Sequence, residues 1–327
     1  MTTRHVLVSA LTVLVLGVAV LGGMIAFGTA PTPPPVASLN APMLRLDYRD
    51  LPALEQYRAR DGAALSYRSY PGGEARVAIL VHGAALESSA MHAIATRLNV
   101  AGMTVYSLTL RGHGDDGRAG DIDYIGQLDD DLADFERFIR VRHPLSALAL
   151  VGHSAGGGFA LRIAEGQYGD LFERYVLLSP ALYHDAPTYK PRTGGWATPY
   201  VPRIIALVVL NRFGVHWFDG LPVIGFAVPQ NVPVRLTPTY SFRLQWNLAA
   251  PDTYLKDLAK IRRPITLLVG EQDELFYADR FAPLLTPIRP DLAVVVIPGI
   301  THTGMLTEPA ALAAIVAALT RDHPATK

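Results

Sequence analysis

A serine flanked by glycines, set between a buried-strand pattern and a helix pattern, constrains this chain more than any other feature. Gly152-His153-Ser154-Ala155-Gly156 follows directly on the apolar run 147–151 and continues as Gly157-Gly158-Phe159-Ala160. In that context G-x-S-x-G describes a tight strand-to-helix turn that exposes the serine hydroxyl. The residues two before and two after must be small so that strand and helix can approach, and the strain is stored at the serine itself. Alone the pattern is permissive, since glycine and serine are common. The bland alternative is an ordinary βα turn in which Ser154 caps the helix.

The surrounding chain supports the demanding reading. Residues 77–81, 104–110, 147–151, 175–178, 265–269 and 293–297 are short runs rich in Val, Ile and Leu without polar alternation, as strands covered on both faces require. Between them lie helical patterns. Residues 128–141 place Leu132, Phe135, Phe138 and Ile139 on one face, with acids early and arginines late. Thr307 stands where it would cap a last helix that has Pro309 in its first turn. The alternation predicts an α/β fold with a mostly parallel, doubly wound sheet. It breaks at about 182–257, a stretch rich in Pro, Gly and aromatics that contains all three tryptophans, Trp196, Trp217 and Trp246. An insertion there would form a cap over the strand ends, where specificity is usually determined.

The N-terminus sets a second boundary condition. Residues 6–27 carry no charge, and 22 residues at helical rise cover about 33 Å, enough for a hydrocarbon core of about 30 Å. One reading is an uncleaved membrane anchor. The other is a cleaved signal peptide, with Gly28 and Ala30 as small residues before the cut, leaving a secreted or periplasmic protein. The run exceeds the usual signal core of roughly 7–15 residues, and Pro31 would follow the scissile bond, so the anchor is favoured. Arg4 ahead of the run places the N-terminus in the cytoplasm and the remainder on the non-cytoplasmic side. The expected organisation is an anchor at 1–30, a proline-rich spacer at 31–43 and a catalytic domain at 44–327.

Composition excludes several function classes. In the 327-residue chain Lys+Arg and Asp+Glu balance at 29 each, which argues against a nucleic-acid partner. It has no cysteine, which removes disulfides, thiolate metal sites and a cysteine nucleophile. Oligomeric state leaves no trace in the sequence.

Three stretches, GHSAGG at 152–157, HGAALESS at 82–89 and LRGHGDDG at 110–117, resemble the monoacylglycerol lipase and lysophospholipase group of α/β-hydrolases, the serine aminopeptidase S33-like set. The resemblance runs from about residue 64 to the C-terminus, and the cap shows no diagnostic match. It implies the α/β-hydrolase fold, a Ser–Asp–His triad in that chain order, two backbone N–H donors for an oxyanion, and no metal or organic cofactor.

The residues themselves point the same way. A serine nucleophile needs a base within hydrogen-bond reach and a third group to orient that base. Of ten histidines, His302 lies in a loop after the last strand-like run and before the final helix, where the fold's catalytic histidine belongs. His82 and His113 sit in the HG and RGHG motifs, which shape loops, and His153 adjoins the serine but points elsewhere. The acid should follow 265–269, where Glu271, Asp273 and Glu274 all stand; the family's G-x-x-D turn selects Asp273. Asp129, Asp130 and Asp131 read as dipole compensation at a helix start. For the oxyanion hole the elbow supplies the Ala155 N–H, and the H-G-A pattern after 77–81 supplies Ala84.

The expectation is a serine hydrolase that cleaves carboxylic esters through an acyl-serine, with a lipid-like monoacylglycerol or lysophospholipid substrate drawn from the membrane. Acyl transfer or perhydrolysis on the same triad is the alternative enzyme. A non-catalytic, membrane-tethered binding protein is the alternative outside enzymes. The apolar stretches of the cap, 204–210 and 221–228 with His216-Trp217-Phe218, suit either a lipid or simple packing on the core.

Overall fold

The six apolar runs become the parallel part of one eight-stranded sheet in a computed structural model, which describes residues 3–44, 48–229 and 232–321. Met1, Thr2, part of the expected domain start (45–47), two positions of the expected cap (230–231) and 322–327 lie outside the described residues.

In chain order, helix α1 (Thr3–Ala26) and the short α2 (Ala37–Leu44) precede strands β1 (Leu54–Arg58), β2 (Ala64–Tyr70) and β3 (Gly73–Val81). Then α3 (His92–Val100), β4 (Met103–Leu108), α4 (Gln127–Arg140), β5 (Ala147–His153), α5 (Ala155–Glu165) and β6 (Arg174–Leu178) alternate. The chain then leaves the sheet for β7 (Ala197–Pro199), α6 (Val201–Arg212), β8 (Pro222–Phe226), β9 (Thr239–Ser241), α7 (Phe242–Leu248) and α8 (Tyr254–Leu258). It returns with β10 (Ile265–Gly270), α9 (Phe281–Leu285), β11 (Ala293–Ile297) and α10 (Pro309–Thr320).

The sheet runs β1-β2-β4-β3-β5-β6-β10-β11. The pairings from β4 onward are parallel, and β1 and β2 join antiparallel at one edge. Successive side chains of a strand face opposite sides, and the two cores divide on that basis. Val77, Ile79, Leu148 and Leu150 pack with α4 and α5, whereas Ala78, Leu80, Ala149 and Val151 pack with α3 and α10. This is the doubly wound arrangement that the alternation predicted.

Several expectations need correction. Run 293–297 is an edge strand with Val295 and Val296 about two-fifths exposed, so its Val-rich composition did not mean burial on both faces. Strands β1 and β2 escaped the apolar-run criterion because β1 is mostly exposed and β2 carries Ser, Tyr and Arg. Glu308, not Thr307, immediately precedes α10, and neither residue's side chain caps it. The acidic run does more than offset a dipole. Buried Asp131 accepts from Arg111 at 2.7 and 2.8 Å, Asp129 from Arg162 at 2.9 Å, and Asp130 from Tyr124 and Tyr168 at 2.7 Å.

The insertion between β6 and β10 is a small three-stranded sheet (β7-β8-β9) with α6 and α7 around Leu207, Val223 and Phe242. It is bolted to the main body. Arg243 grips Asp121 through two bonds of 2.7 and 2.8 Å, and Asn247 Oδ1 accepts the Gly126 and Leu128 N–H groups at the start of α4. Of the tryptophans, Trp246 stacks on Phe242 at 4.4 Å, Trp196 packs against the core, and Trp217 is 87% exposed.

Within α1, Leu7–Ala26 is long and apolar enough to cross a membrane. The proline-rich segment after it touches the cap. Pro31 crosses Gly225 of β8 so closely that a Cβ there would lie 2.2 Å from the Pro31 carbonyl oxygen.

Candidate active site

The turn after β5 holds Ser154 at φ 55° and ψ −117°, a conformation costly for any residue with a Cβ. Its glycines are demanded by contact. A Cβ on Gly152 would lie 2.0 Å from the Gly156 carbonyl oxygen, and one on Gly156 would lie 2.4 Å from that of His82. A Cβ on Gly158 would strike the Ala181 carbonyl oxygen at 2.1 Å. The turn is held by Ser154 N–H donating to Leu178 O at 2.8 Å, while Ser154 O accepts from Gly157, Gly158 and Ala181. The strain is therefore paid into a network that fixes the hydroxyl at the C-terminal edge of the sheet.

His302 approaches from the loop after β11, and Asp273 from the turn after β10. His302 Nδ1 lies 2.8 Å from Asp273 Oδ2, with Asp273 fully buried and His302 4% exposed. The other Asp273 oxygen accepts the Leu275 and Phe276 N–H groups at 2.8 and 3.0 Å. Burial alone would raise this carboxyl, but the facing His302 and the hydrogen bonds it receives hold it below the ordinary carboxylate range. A carboxylate so placed fixes the imidazole tautomer and leaves Nε2 as the basic nitrogen. Ser154 and His302 line one cavity, together with Gly83, Ala84, Leu86 and Trp196. Ala84 thus reaches the serine from the loop after β3, and Ala155 opens α5, where helix N–H groups favour negative charge.

The two rivals for the acid have other work. Glu274 Oε2 accepts the His302 main-chain N–H at 2.9 Å, and Glu271 Oε2 accepts that of Gly299 at 3.0 Å. Both hold the histidine loop. His82 and His113 are buried in their loops as expected. His82 donates from Nδ1 to Gly83 O and accepts Leu110 N–H at Nε2, with burial pushing its pKa down to about 4. His113 is pushed well below its usual value by burial, and next by His82.

His153 differs from expectation. It does not point away but lines the cavity, donating from Nε2 to the His302 carbonyl at 3.1 Å. Burial and then the neighbouring His302 push its pKa down to about 3, so it stays neutral.

Tyr240, in β9 of the cap, went unnoticed in the sequence. Its hydroxyl accepts the Ala85 N–H at 2.6 Å and pairs with His113 Nε2 at 2.5 Å, which ties the Ala84 loop to the RGHG loop. Among the described residues no group of three or more His, Asp or Glu side chains is placed to hold a metal ion.

Comparison with known proteins agrees with this architecture. The family model described as serine aminopeptidase, S33 matches residues 73–310. A monoacylglycerol lipase of Mycolicibacterium smegmatis is 32% identical over 109 residues, 32% of this chain and only 38% of the relative's length. Among solved structures, a soluble variant of the Saccharomyces cerevisiae monoglyceride lipase superposes with a TM-score of 0.61 at 19% identity, covering 84% of this chain and 96% of the other. The monoacylglycerol lipase of Paleococcus ferrophilus gives 0.57 at 21% identity, covering 78% and 98%. At such identities the two structures speak for the fold.

Proposed function

Because the chain belongs to the serine aminopeptidase S33 family of α/β-hydrolases, we propose that it cleaves carboxylic esters of lipid-like alcohols through an acyl-enzyme on Ser154. The observation that carries the reading is the strained Ser154 facing a cavity shared with His302, whose far nitrogen is held by Asp273 at 2.8 Å.

In the proposed sequence Ser154 Oγ attacks the ester carbonyl carbon while His302 Nε2 accepts its proton. Asp273 stabilises the imidazolium without taking the proton. The Ala84 and Ala155 N–H groups bind the oxyanion, each donor contributing about 3 kcal/mol to the transition state. Collapse breaks the C–O bond, and the alcohol leaves with the proton from His302. Water, deprotonated by the same nitrogen, then releases the acid and restores Ser154.

The lipid-like substrate class rests on two further observations. The cavity wall beside the serine is apolar, with Leu86 and Trp196. Helix α1 runs against cap helix α6, so an apolar anchor would bring the cap to a bilayer. The partial likeness to a monoacylglycerol lipase favours a monoacylglycerol head group. We take α1 as an anchor with the catalytic domain on the non-cytoplasmic side, and 44–327 as one domain carrying the cap.

The test is labelling of the full-length protein in detergent with an alkyl fluorophosphonate, followed by product analysis on micellar monoacylglycerol and on a soluble short-chain ester. Labelling that disappears in Ser154→Ala, with preference for the monoacylglycerol, supports the reading. A folded wild type that never labels would return the chain to the class of binding proteins. A strong preference for the short ester would remove the lipid assignment.

A further inference from the structure

The wall of the Ser154 cavity contains one residue contributed by the segment that joins α1 to β1. Leu39, on α2, lines the cavity with Ser154, Ala84, Leu86, Trp196 and His302, and is 1% exposed. Ala37, Ser38 and Leu44 of the same helix are exposed. Leu39 is buried where it meets the catalytic cleft and the adjoining core. With it in place the remaining cavity is about 20 Å³, room for about one water molecule and far too little for an acyl chain.

The path of the chain makes this docking specific. At the end of α1, the buried Arg203 of α6 donates to the Ile25 and Gly28 carbonyls at 3.1 and 2.6 Å, and Tyr200 donates to Phe27. Pro31 then crosses Gly225, Val36 packs on the core, and the Leu39 N–H turns back to Val36 O at 3.1 Å. Contacts at Ile25, Phe27, Gly28, Pro31 and Val36 thus tie the segment between the apolar helix and Leu39 to the cap and the core.

We propose that the apolar seat beside Ser154 receives the substrate's acyl chain and that Leu39, an isobutyl group on the chain's own tether, occupies it until the substrate displaces it. The assignment rests on the ester-lipid reading above. Leu39 supplies what a short branched acyl chain would supply, a compact aliphatic group against Leu86 and Trp196 beside the nucleophile. An ester has to move it to bring its carbonyl to Ser154. The fraction of molecules with Leu39 out then scales the apparent affinity for substrate. The tether between α1 and β1 thus acts on substrate entry as well as joining anchor to domain.

The experiment follows the rate at which a short-alkyl fluorophosphonate labels Ser154 in the full-length protein in micelles. It compares wild type, Leu39→Ala, and Gly225→Leu, which drives the Pro31 segment off β8 without touching the cleft. Both variants should label roughly tenfold faster and show a lower KM for monoacylglycerol, at a temperature where both remain folded. Equal or slower labelling in both Leu39→Ala and Gly225→Leu, with Ser154 reactive throughout, overturns the Leu39 assignment and leaves the hydrolase reading standing. Failure of Ser154 to label in every form overturns both.

Discussion

The phenol oxygen of Tyr240 accepts the main-chain N–H of Ala85 at 2.6 Å across 155 residues of sequence, so a cap strand holds the loop that carries Ala84. Ala85 sits at φ 66°, a conformation that the loop keeps only while such partners hold it. Tyr240→Phe keeps the ring and its contacts with Phe226 but leaves the Ala85 N–H and His113 Nε2 unpaired. The expected result is a kcat about tenfold lower with little change in KM, and a loss of about 1–3 kcal/mol in stability. Steady-state kinetics with thermal unfolding checks it; an unchanged kcat would remove Tyr240 from the positioning of the Ala84 loop.

Glu274 offers a second positioning test, because it accepts the His302 main-chain N–H at 2.9 Å. Glu274→Gln keeps an acceptor and should retain most activity. Glu274→Ala should lower kcat about tenfold, comparable with the loss of one hydrogen bond at about 1.4 kcal/mol. Equal activity in both variants would show that the loop needs no such tether.

These examples mark where sequence reading stops. The Ser154 elbow was legible because the strand, the glycines and the helix that frame it lie within about twenty residues of sequence. His302 and Asp273 could be placed because each follows a strand whose apolar run is plain, although Asp273 needed the family turn to separate it from two glutamates. Glu274 stood in view only as a rival acid, since its partner is a main-chain group 28 residues away. Tyr240 and Leu39 left no signal, because a lone tyrosine or leucine acquires its role only when distant segments dock. Edge and centre strands such as β11 and β10 share one composition and differ only in neighbours. His153 was misread because the elbow's position says nothing of the carbonyl that waits for its ring.

Three buried neutral histidines predict how the fold responds to acid. The pKa values of His82 and His153 fall from 6.5 to about 4 and about 3, chiefly through burial, and burial also pushes that of His113 well below its ordinary value. Each folded value lies below the unfolded one, so the unfolded chain binds protons first as pH drops. Their contribution is complete above about pH 6.5 and is lost progressively, to about pH 4 for His82 and about pH 3 for His153. Measured in Glu165→Gln, which lacks a buried carboxyl that titrates in the opposite sense, the melting temperature should therefore decline as pH is lowered from 7 to 5. A flat profile over that interval would contradict the burial of these rings as neutral groups.

Glu165 predicts the opposite trend. Both of its carboxylate oxygens are buried without a hydrogen-bond partner, and burial, then Asp257, raises its pKa from 4.5 to about 9. A raised folded value gives a contribution that is full below about pH 4.5 and is lost as pH rises towards 9. Glu165→Gln should stabilise the protein by about 1–3 kcal/mol at pH 8, and much less near pH 4.5. Denaturant unfolding at the two pH values checks it; equal effects at both would argue against a protonated Glu165.

The central claim is that Ser154 becomes acylated. Full-length protein mixed with an activated long-chain ester, quenched in acid within the first turnover and digested, should yield the Ser154 peptide carrying the mass of the acyl group. The adduct should be absent in Ser154→Ala, which should retain at most a trace of hydrolysis. An acyl group found on another residue, or hydrolysis undiminished in Ser154→Ala, would contradict the account.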